Sequence, residues 1–335
     1  MTTIKTLAVA LMRLAAAFPI SLATAAPVQA ADWASPFVPP DTYTGEFGVR
    51  MWYGQARTAK NLYDTSGALL VSRLAYNDLN IFTGEAYTRF DLSGGWFLKG
   101  YIGGGNLFGG RLKDEDFPPT LVPYSATLSD QKDGYLFYGS VDGGIKIIRG
   151  GDFHVGAFVG YHFLRDQVSA FGCGQIAANP AVCAGGIPDS IKVITQRNDW
   201  HSLRIGLDAA VEFDRRWKLA VDAAWLPYVK LYGADSHWLR IGTSPGDFTG
   251  AIPEDGKGWG YQLDAFLAYR FNDTFSVGIG GRYWHTETNK GSTHFEGHVV
   301  GVNAQPQAVR WKQDHFGVFF QSTVSFGPTH VVGGG

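Results

Sequence analysis

The sequence predicts an all-β fold, a ten-stranded antiparallel transmembrane β-barrel with long extracellular loops and short periplasmic turns. Three observations predict it. Apolar and polar residues alternate along nearly all of the chain beyond position 43. Short polar turns alternate strictly with long connections. Aromatic residues gather at the ends of the alternating runs. Composition agrees. Only 17% of the 335 residues are charged, whereas 14% are aromatic and 44 are glycine, which suits short twisted strands that face lipid. The mean hydropathy is near zero, because a barrel hides its apolar face by alternation rather than in a continuous apolar run.

Residues 1–31 read as a secretory signal. Lys5 and Arg13 supply its basic region, Leu14 to Ala26 its apolar stretch, and Val28-Gln29-Ala30 a small-x-small cleavage site before Ala31. Residues 32–43, with Pro36, Pro39 and Pro40, form an irregular periplasmic lead-in, and the barrel runs from 44 to 326. Beyond the signal, no stretch of about 18 apolar residues calls for a membrane-spanning helix. The strands are expected at 44–58, 70–91, 95–112, 133–149, 152–170, 192–213, 215–232, 257–272, 274–286 and 307–326. Tight turns lie at Asp91–Gly95, Arg149–Asp152, Phe213–Arg216 and Asn272–Thr274. Long connections lie at Thr58–Leu69, Lys113–Lys132, Phe171–Ile191, Gly233–Gly256 and Thr286–Gln307. The clearest strand places Trp259, Tyr261, Leu263, Ala265, Leu267, Tyr269 and Phe271 on one face. In a soluble sandwich the outward face would be the polar one. Here Arg50, Lys99, Asp222, Asp264 and Arg282 fall on the non-aromatic face, which suits a wet lumen. The Gly-rich tail, 327–335, is expected to be disordered. Cys173 and Cys183 share one loop of an exported chain and are expected to form a disulfide.

The balance of 28 Lys and Arg against 30 Asp and Glu argues against a nucleic-acid partner, which would want a basic face. Ten strands leave too narrow a lumen for a porin channel, so function is expected at the outer loops. A metal site at His294-Phe295-Glu296-Gly297-His298 has the wrong spacing and scaffold for the zinc-helix motif. The glycines at 103–105, 109 and 110 lack the helix and the Lys-Ser/Thr of a phosphate loop. Ser236 points away from the face shared by Asp235 and His237, and no Ser–His pair suited to a lipid-modifying enzyme stands out.

Two motifs at the outer strand ends carry chemistry. Asp114-Glu115-Asp116 follows the third strand, and Asp235-Ser236-His237 follows the seventh. In extended chain, residues two apart share a face, and strands three and seven of ten stand nearly opposite. Paired carboxylates raise one another's pKa and tend to share a proton. A histidine beside an aspartate stays oriented and can take a proton from water. Together they would activate water for attack on a peptide carbonyl.

On these motifs the chain resembles the omptin family, ten-stranded outer-membrane proteases with an Asp-x-Asp pair after the third strand and an Asp-x-His pair after the seventh. Ser72-Arg73-Leu74 to Phe90-Asp91-Leu92, then Gly103 to Gly105, resemble the family's second and third strands. The resemblance implies an endopeptidase of the bacterial cell outer membrane. In it, Asp235 and His237 would polarise the water, and Asp114 and Asp116 would position it and stabilise the oxyanion. It also implies peptide or protein substrates, and lipopolysaccharide as a partner required for activity, held on the outer wall by Tyr161, Arg165 and Arg197. No metal or other cofactor is expected, and the barrel is expected to be a monomer. The chain departs from the family's basic-residue specificity. Gly233 stands where an acid precedes the Asp-x-His pair by two residues. The first-strand region offers Gln55, Arg57 and Lys60 with no carboxylate, which implies a pocket for neutral side chains. Phe163 stands where the family's lipopolysaccharide site has an acid. An inactive barrel serving as an adhesin or structural protein is the alternative.

Overall fold

The computed structural model describes residues 43–327 apart from 118–121, 178, 180, 181, 184 and 215. The expected signal, the lead-in up to residue 42 and the tail from residue 328 lie outside the described residues. The strands are β1 (Thr44–Tyr63), β2 (Leu70–Asp91), β3 (Trp96–Phe108), β4 (Arg111–Asp116), β5 (Ser125–Arg149), β6 (Phe153–Gln175), β7 (Ile187–Phe213), β8 (Trp217–His237), β9 (Ile252–Arg270), β10 (Phe275–Thr293) and β11 (Gln307–Phe326). Each pairs antiparallel with its neighbours. β1 closes the ring on β11, from Gly45 opposite Phe326 to Leu62 opposite Val309.

Eleven strands make ten spans, because β3 and β4 both lie between β2 and β5. The break falls at Gly109 and Gly110, with φ of +68° and +85°. A Cβ on Gly110 would lie 2.4 Å from the carbonyl oxygen of Asn77, so the chain can turn aside here only with glycine. The third span, expected to end at 112, therefore resumes and carries Asp114 and Asp116 within a strand.

The four tight turns stand where the alternation predicts them, but the outer strand ends run further than expected. β5 begins at Ser125 rather than 133, β7 at Ile187 rather than 192, and β10 ends at Thr293 rather than 286. The reason is the polarity of the inward residues at this height. Thr58, Lys60, Ser125, Thr127, Ser129, Thr288 and Thr293 are all buried. Their polar composition reads as loop, yet their backbones remain in the ladder.

The outward face carries the apolar side chains that the alternation predicts. Phe47, Val49, Met51 and Tyr53 are exposed along β1, followed by outward Gln55 and Arg57. Trp259, Tyr261 and Leu263 are exposed on β9 and give way to outward Lys257. An apolar band thus ends in an aromatic rim, above which the wall is polar.

The lumen is polar, as expected, with Arg50, Lys99, Asp222 and Asp264 lining an inner cavity, and its charges are paired. Arg282 pairs with Glu85 at 2.7 Å and Asp264 at 2.6 Å, and Arg50 pairs with Glu85 at 2.7 Å. Arg204 bridges Asp142 and Asp222, and Lys99 bridges Asp208 and Asp222. Trp52, Tyr138 and Trp284 pack around Arg282 and close the middle of the barrel. At this diameter inward side chains fill the interior, and a charge without room for water must meet another charge.

Cys173 and Cys183 are joined by a disulfide, as expected, and tie the end of β6 to the loop before β7. Arg282 offers a test of the packed lumen. Arg282→Met leaves Glu85 and Asp264 without their shared cation and should lower unfolding stability by about 3–5 kcal/mol, read from the urea midpoint of the barrel refolded in lipid vesicles. An unchanged midpoint would mean that water screens these charges.

Candidate active site

The two acidic motifs sit on strand ends, not in loops. Asp114 and Asp116 lie in β4 opposite Leu74 and Ser72 of β2. Asp235 and His237 end β8 opposite Gln196 and Ile194 of β7. β4 and β8 belong to opposing walls, and all four side chains line one cleft of about 1060 Å³ at the mouth. The convergence expected from the strand count is present.

His237 Nε2 lies 3.1 Å from Asp235 Oδ2. The same carboxylate oxygen accepts from Lys60 Nζ at 2.5 Å, and Lys60 stands 2.5 Å from Glu254 Oε1. Lys60 is on β1, so its side chain crosses the mouth to β8 and β9. Glu254 also accepts from Gln196 Nε2 at 3.1 Å and Thr293 Oγ1 at 3.0 Å. Beneath it, Asn198 Nδ2 and Trp200 Nε1 donate to Asp166 at 3.1 and 3.0 Å. A hydrogen-bonded layer thus fixes the far wall of the cleft, and strands rather than mobile loops hold its members.

Burial and charge set different protonation behaviour on the two sides. Burial, then the neighbouring Asp116, push Asp114 up to about 6. Asp116 is also raised, mainly by burial and against a hydrogen bond from Ser72. Burial works against ionised Asp235, but His237 and Lys60 override it and hold the carboxyl well below its ordinary range. Burial disfavours charged His237, yet Asp235 outweighs that and raises the imidazole. One wall therefore carries a fixed anion beside a basic histidine, and the other a carboxyl poised to hold a proton. Among the described residues, Asp114 Oδ1 and Asp235 Oδ1 are buried and have no hydrogen-bond partner. Unsatisfied acceptors at such depth are costly unless something donates to them.

Sequence reasoning named the four motif residues and missed three others. Lys60 entered only as a residue that is not an acid. Its signal was parity, because it shares an inward phase with Trp52, Ala56 and Thr58. Glu254 lies within the long connection expected at Gly233–Gly256, whereas the structure places it in β9. Phe248, in the loop between β8 and β9, meets His237 edge-on at 5.7 Å, stacks on Phe295 at 6.2 Å, and so roofs the histidine. Nothing local in the sequence marks it.

Tyr161, Arg165 and Arg197 all lie on β6 and β7, but the ladder spreads them along the wall: Arg165 is opposite Asp199, Arg197 opposite Gln167, and Tyr161 opposite Leu203. Tyr161 is hydrogen-bonded to His201 at 2.5 Å, and Arg197 is exposed. Arg165 is already clamped by Asp199 through two contacts of 2.6 Å. Phe163 packs against His201. His294 of the rejected metal motif is engaged by Glu296 at 2.9 Å and Asp255 at 3.2 Å.

No protein-family model and no curated protein matches the chain. Among solved structures, the outer-membrane protease OmpT from Escherichia coli is similar over 87% of this chain and 100% of its own, with a TM-score of 0.70 at 16% identity. The toluene transporter TodX of P. putida (90% of this chain, 96% of its own, 9% identity) has a TM-score of 0.29. Ail, the attachment invasion locus protein of Yersinia pestis (83% and 98%, 8% identity), has a TM-score of 0.25. Those two scores are too low to support an inference. The likeness to OmpT shows that the chain has that barrel fold.

Asp114 gives a prediction with a definite sign. A carboxyl raised to about 6 in the barrel, against about 3.9 in an unfolded chain, binds its proton more tightly when folded. Its contribution is full below the unfolded value and is lost as pH rises through 6. Asp114→Asn should therefore stabilise the barrel at neutral pH by on the order of 1 kcal/mol. It should also flatten the melting temperature between those two pH values. A variant less stable than the parent at neutral pH would show that the ionised carboxylate is the better-satisfied form.

Proposed function

We propose that the chain is an omptin-type endopeptidase of the bacterial outer membrane, whose cleft activates water between the Asp235–His237 and Asp114–Asp116 pairs. The observation that supports it best is the meeting of these pairs from opposing walls in one cleft, with an unpartnered carboxylate oxygen on each wall. OmpT, which shares the fold, is an outer-membrane protease.

In this reading water donates one hydrogen bond to the free oxygen of Asp114 and the other to the imidazole of His237, and is held between the walls. Neutral His237 takes one proton as the oxygen adds to the peptide carbonyl carbon, and Asp235 stabilises the imidazolium that forms. Asp114, whose burial favours the protonated form, donates to the developing oxyanion, with Asp116 beside it. As the carbon–nitrogen bond breaks, His237 returns its proton to the leaving amine. Neither a metal nor an organic cofactor is needed for these steps. Lipopolysaccharide would bind the outer wall around Tyr161, Arg165 and Arg197, with Arg197 the more available of the two cations because Asp199 holds Arg165. A monomer contains every residue invoked.

A second reading, an inactive barrel acting as an adhesin or structural protein, is favoured by Lys60, which competes with His237 for the same Asp235 oxygen. Cleavage of a peptide library by the refolded barrel with lipopolysaccharide separates the two. The peptidase should lose about 10²–10⁴-fold in rate in both Asp235→Ala and His237→Ala. Since His237 must be neutral and its pKa is raised, while Asp114 must keep a proton that it loses near 6, the reacting form is a minority form, and kcat/KM should be bell-shaped with its acid limb near 6 and its basic limb above the ordinary histidine value of about 6.5. Absence of cleavage by a folded parent would transfer the assignment to the second reading.

A further inference from the structure

We propose that Lys60 is a built-in substitute for a basic substrate side chain, so that the cleft takes peptides with apolar residues beside the scissile bond and rejects lysine and arginine there. This specificity rests on the peptidase reading above, but the occupancy that underlies it does not.

Three observations carry the inference. First, no counter-charge stands directly beside Lys60 on its own wall. Its cross-strand neighbours on β2 and β11 are Leu74 and Trp311, and its ammonium reaches the far wall to sit 2.5 Å from both Asp235 and Glu254. The side chain is only 3% exposed yet lines the cleft, so it stands between the cleft and Glu254. Second, Glu254 occupies the space beside Gly233, which it faces across the β8–β9 ladder. A Cβ on Gly233 would lie 3.1 Å from both the Cβ and Oε2 of Glu254. The far wall therefore has a buried carboxylate at this point, delivered from β9. With Asp235 it forms a two-carboxylate receptor for an ammonium or guanidinium group, and Lys60 fills that receptor from within the chain. Third, the rest of that wall is apolar, with Val193, Ile194, Phe248, Ile252 and Val299 lining the cleft, while Arg240 adds a second cation at its edge. At the far wall an incoming cation would meet Lys60 and Arg240, with Asp235 and Glu254 already taken and the acids Asp114 and Asp116 on the opposite wall, and like charges at a desolvated contact are strongly disfavoured. An apolar side chain would meet a matching surface.

The test uses two readouts. Peptides identical except for leucine, glutamate or arginine beside the cleaved bond are given to the refolded parent and to Lys60→Ala. The parent should cleave the arginine peptide with kcat/KM at least ~100-fold below the leucine peptide. In Lys60→Ala that ratio should shift toward arginine, chiefly through KM. A parent that prefers arginine overturns the proposal, and so does an unchanged ratio in the variant.

The second readout needs no activity. Propylammonium should raise the melting temperature of Lys60→Ala and leave the parent unmoved, because only the variant has an open receptor; equal effects on both overturn the proposal. If the parent cleaves nothing while the amine discriminates, the peptidase reading fails and the occupancy stands. If Lys60→Ala does not fold by itself, its refolding yield with the amine replaces the melting curve. Recovery that is lost in Lys60→Ala/Glu254→Gln supports the proposal, and no recovery overturns it.

Discussion

Closure of the ring between β1 and β11 is the constraint on which the rest of the molecule depends. In a bilayer every backbone N–H and C=O must find a partner within the protein, and a sheet with open edges cannot provide that. The β1–β11 register, unbroken from Gly45–Phe326 to Leu62–Val309, removes both edges. Once ten spans close, the diameter is set, and with it the amount of inward side chain that must be accommodated. The paired charges around Arg282, Arg204 and Lys99 follow from that geometry. Inward positions are shielded from lipid and too confined for bulk water, so ionised groups remain there only as interlocked pairs.

The cleft follows from the same closure. The strands run well beyond the aromatic rim, and above it the wall faces water outside and a widening mouth inside. Side chains at this level are still directed inward by the two-residue period, so residues distant in sequence are aimed at one another across the mouth. Lys60 and Asp235 are 175 positions apart and in contact. The ladder holds Asp114, Asp235 and His237 through backbone pairing on both sides, a firmer support than a loop provides.

The period-2 pattern carried the fold because it is a local property, written separately into each strand. It carried Asp114, Asp116, Asp235 and His237 for a related reason: each pair is local, and the strand count then sets the walls opposite. What it could not carry was contact between walls. Lys60 looks like a rim charge until its partners on β8 and β9 are known. Glu254 looks like loop until Thr293 and Gln196 are found to hold it. The outer strand limits were set too short because small polar inward residues resemble loop composition, and the ladder pairing that retains them is visible only between strands. Nothing in the period-2 pattern sets Gly109 and Gly110 apart from the other glycines, yet their positive φ marks the interruption that divides one span in two.

The distribution of cations in the mouth explains how two aspartates on opposing walls come to differ. Asp235 has Lys60 and His237 against it, and these outweigh its burial. Asp114 has another aspartate as its near neighbour, and the cations of the far wall act on it more weakly than burial does. Moving the Lys60 charge to the near wall would favour ionised Asp114 and leave His237 alone to hold Asp235 ionised against its burial. Lys60 therefore does more than neutralise Glu254. Its length and its origin on β1 deliver positive charge across the mouth to the far wall, and that placement separates the side that holds an anion from the side that can hold a proton.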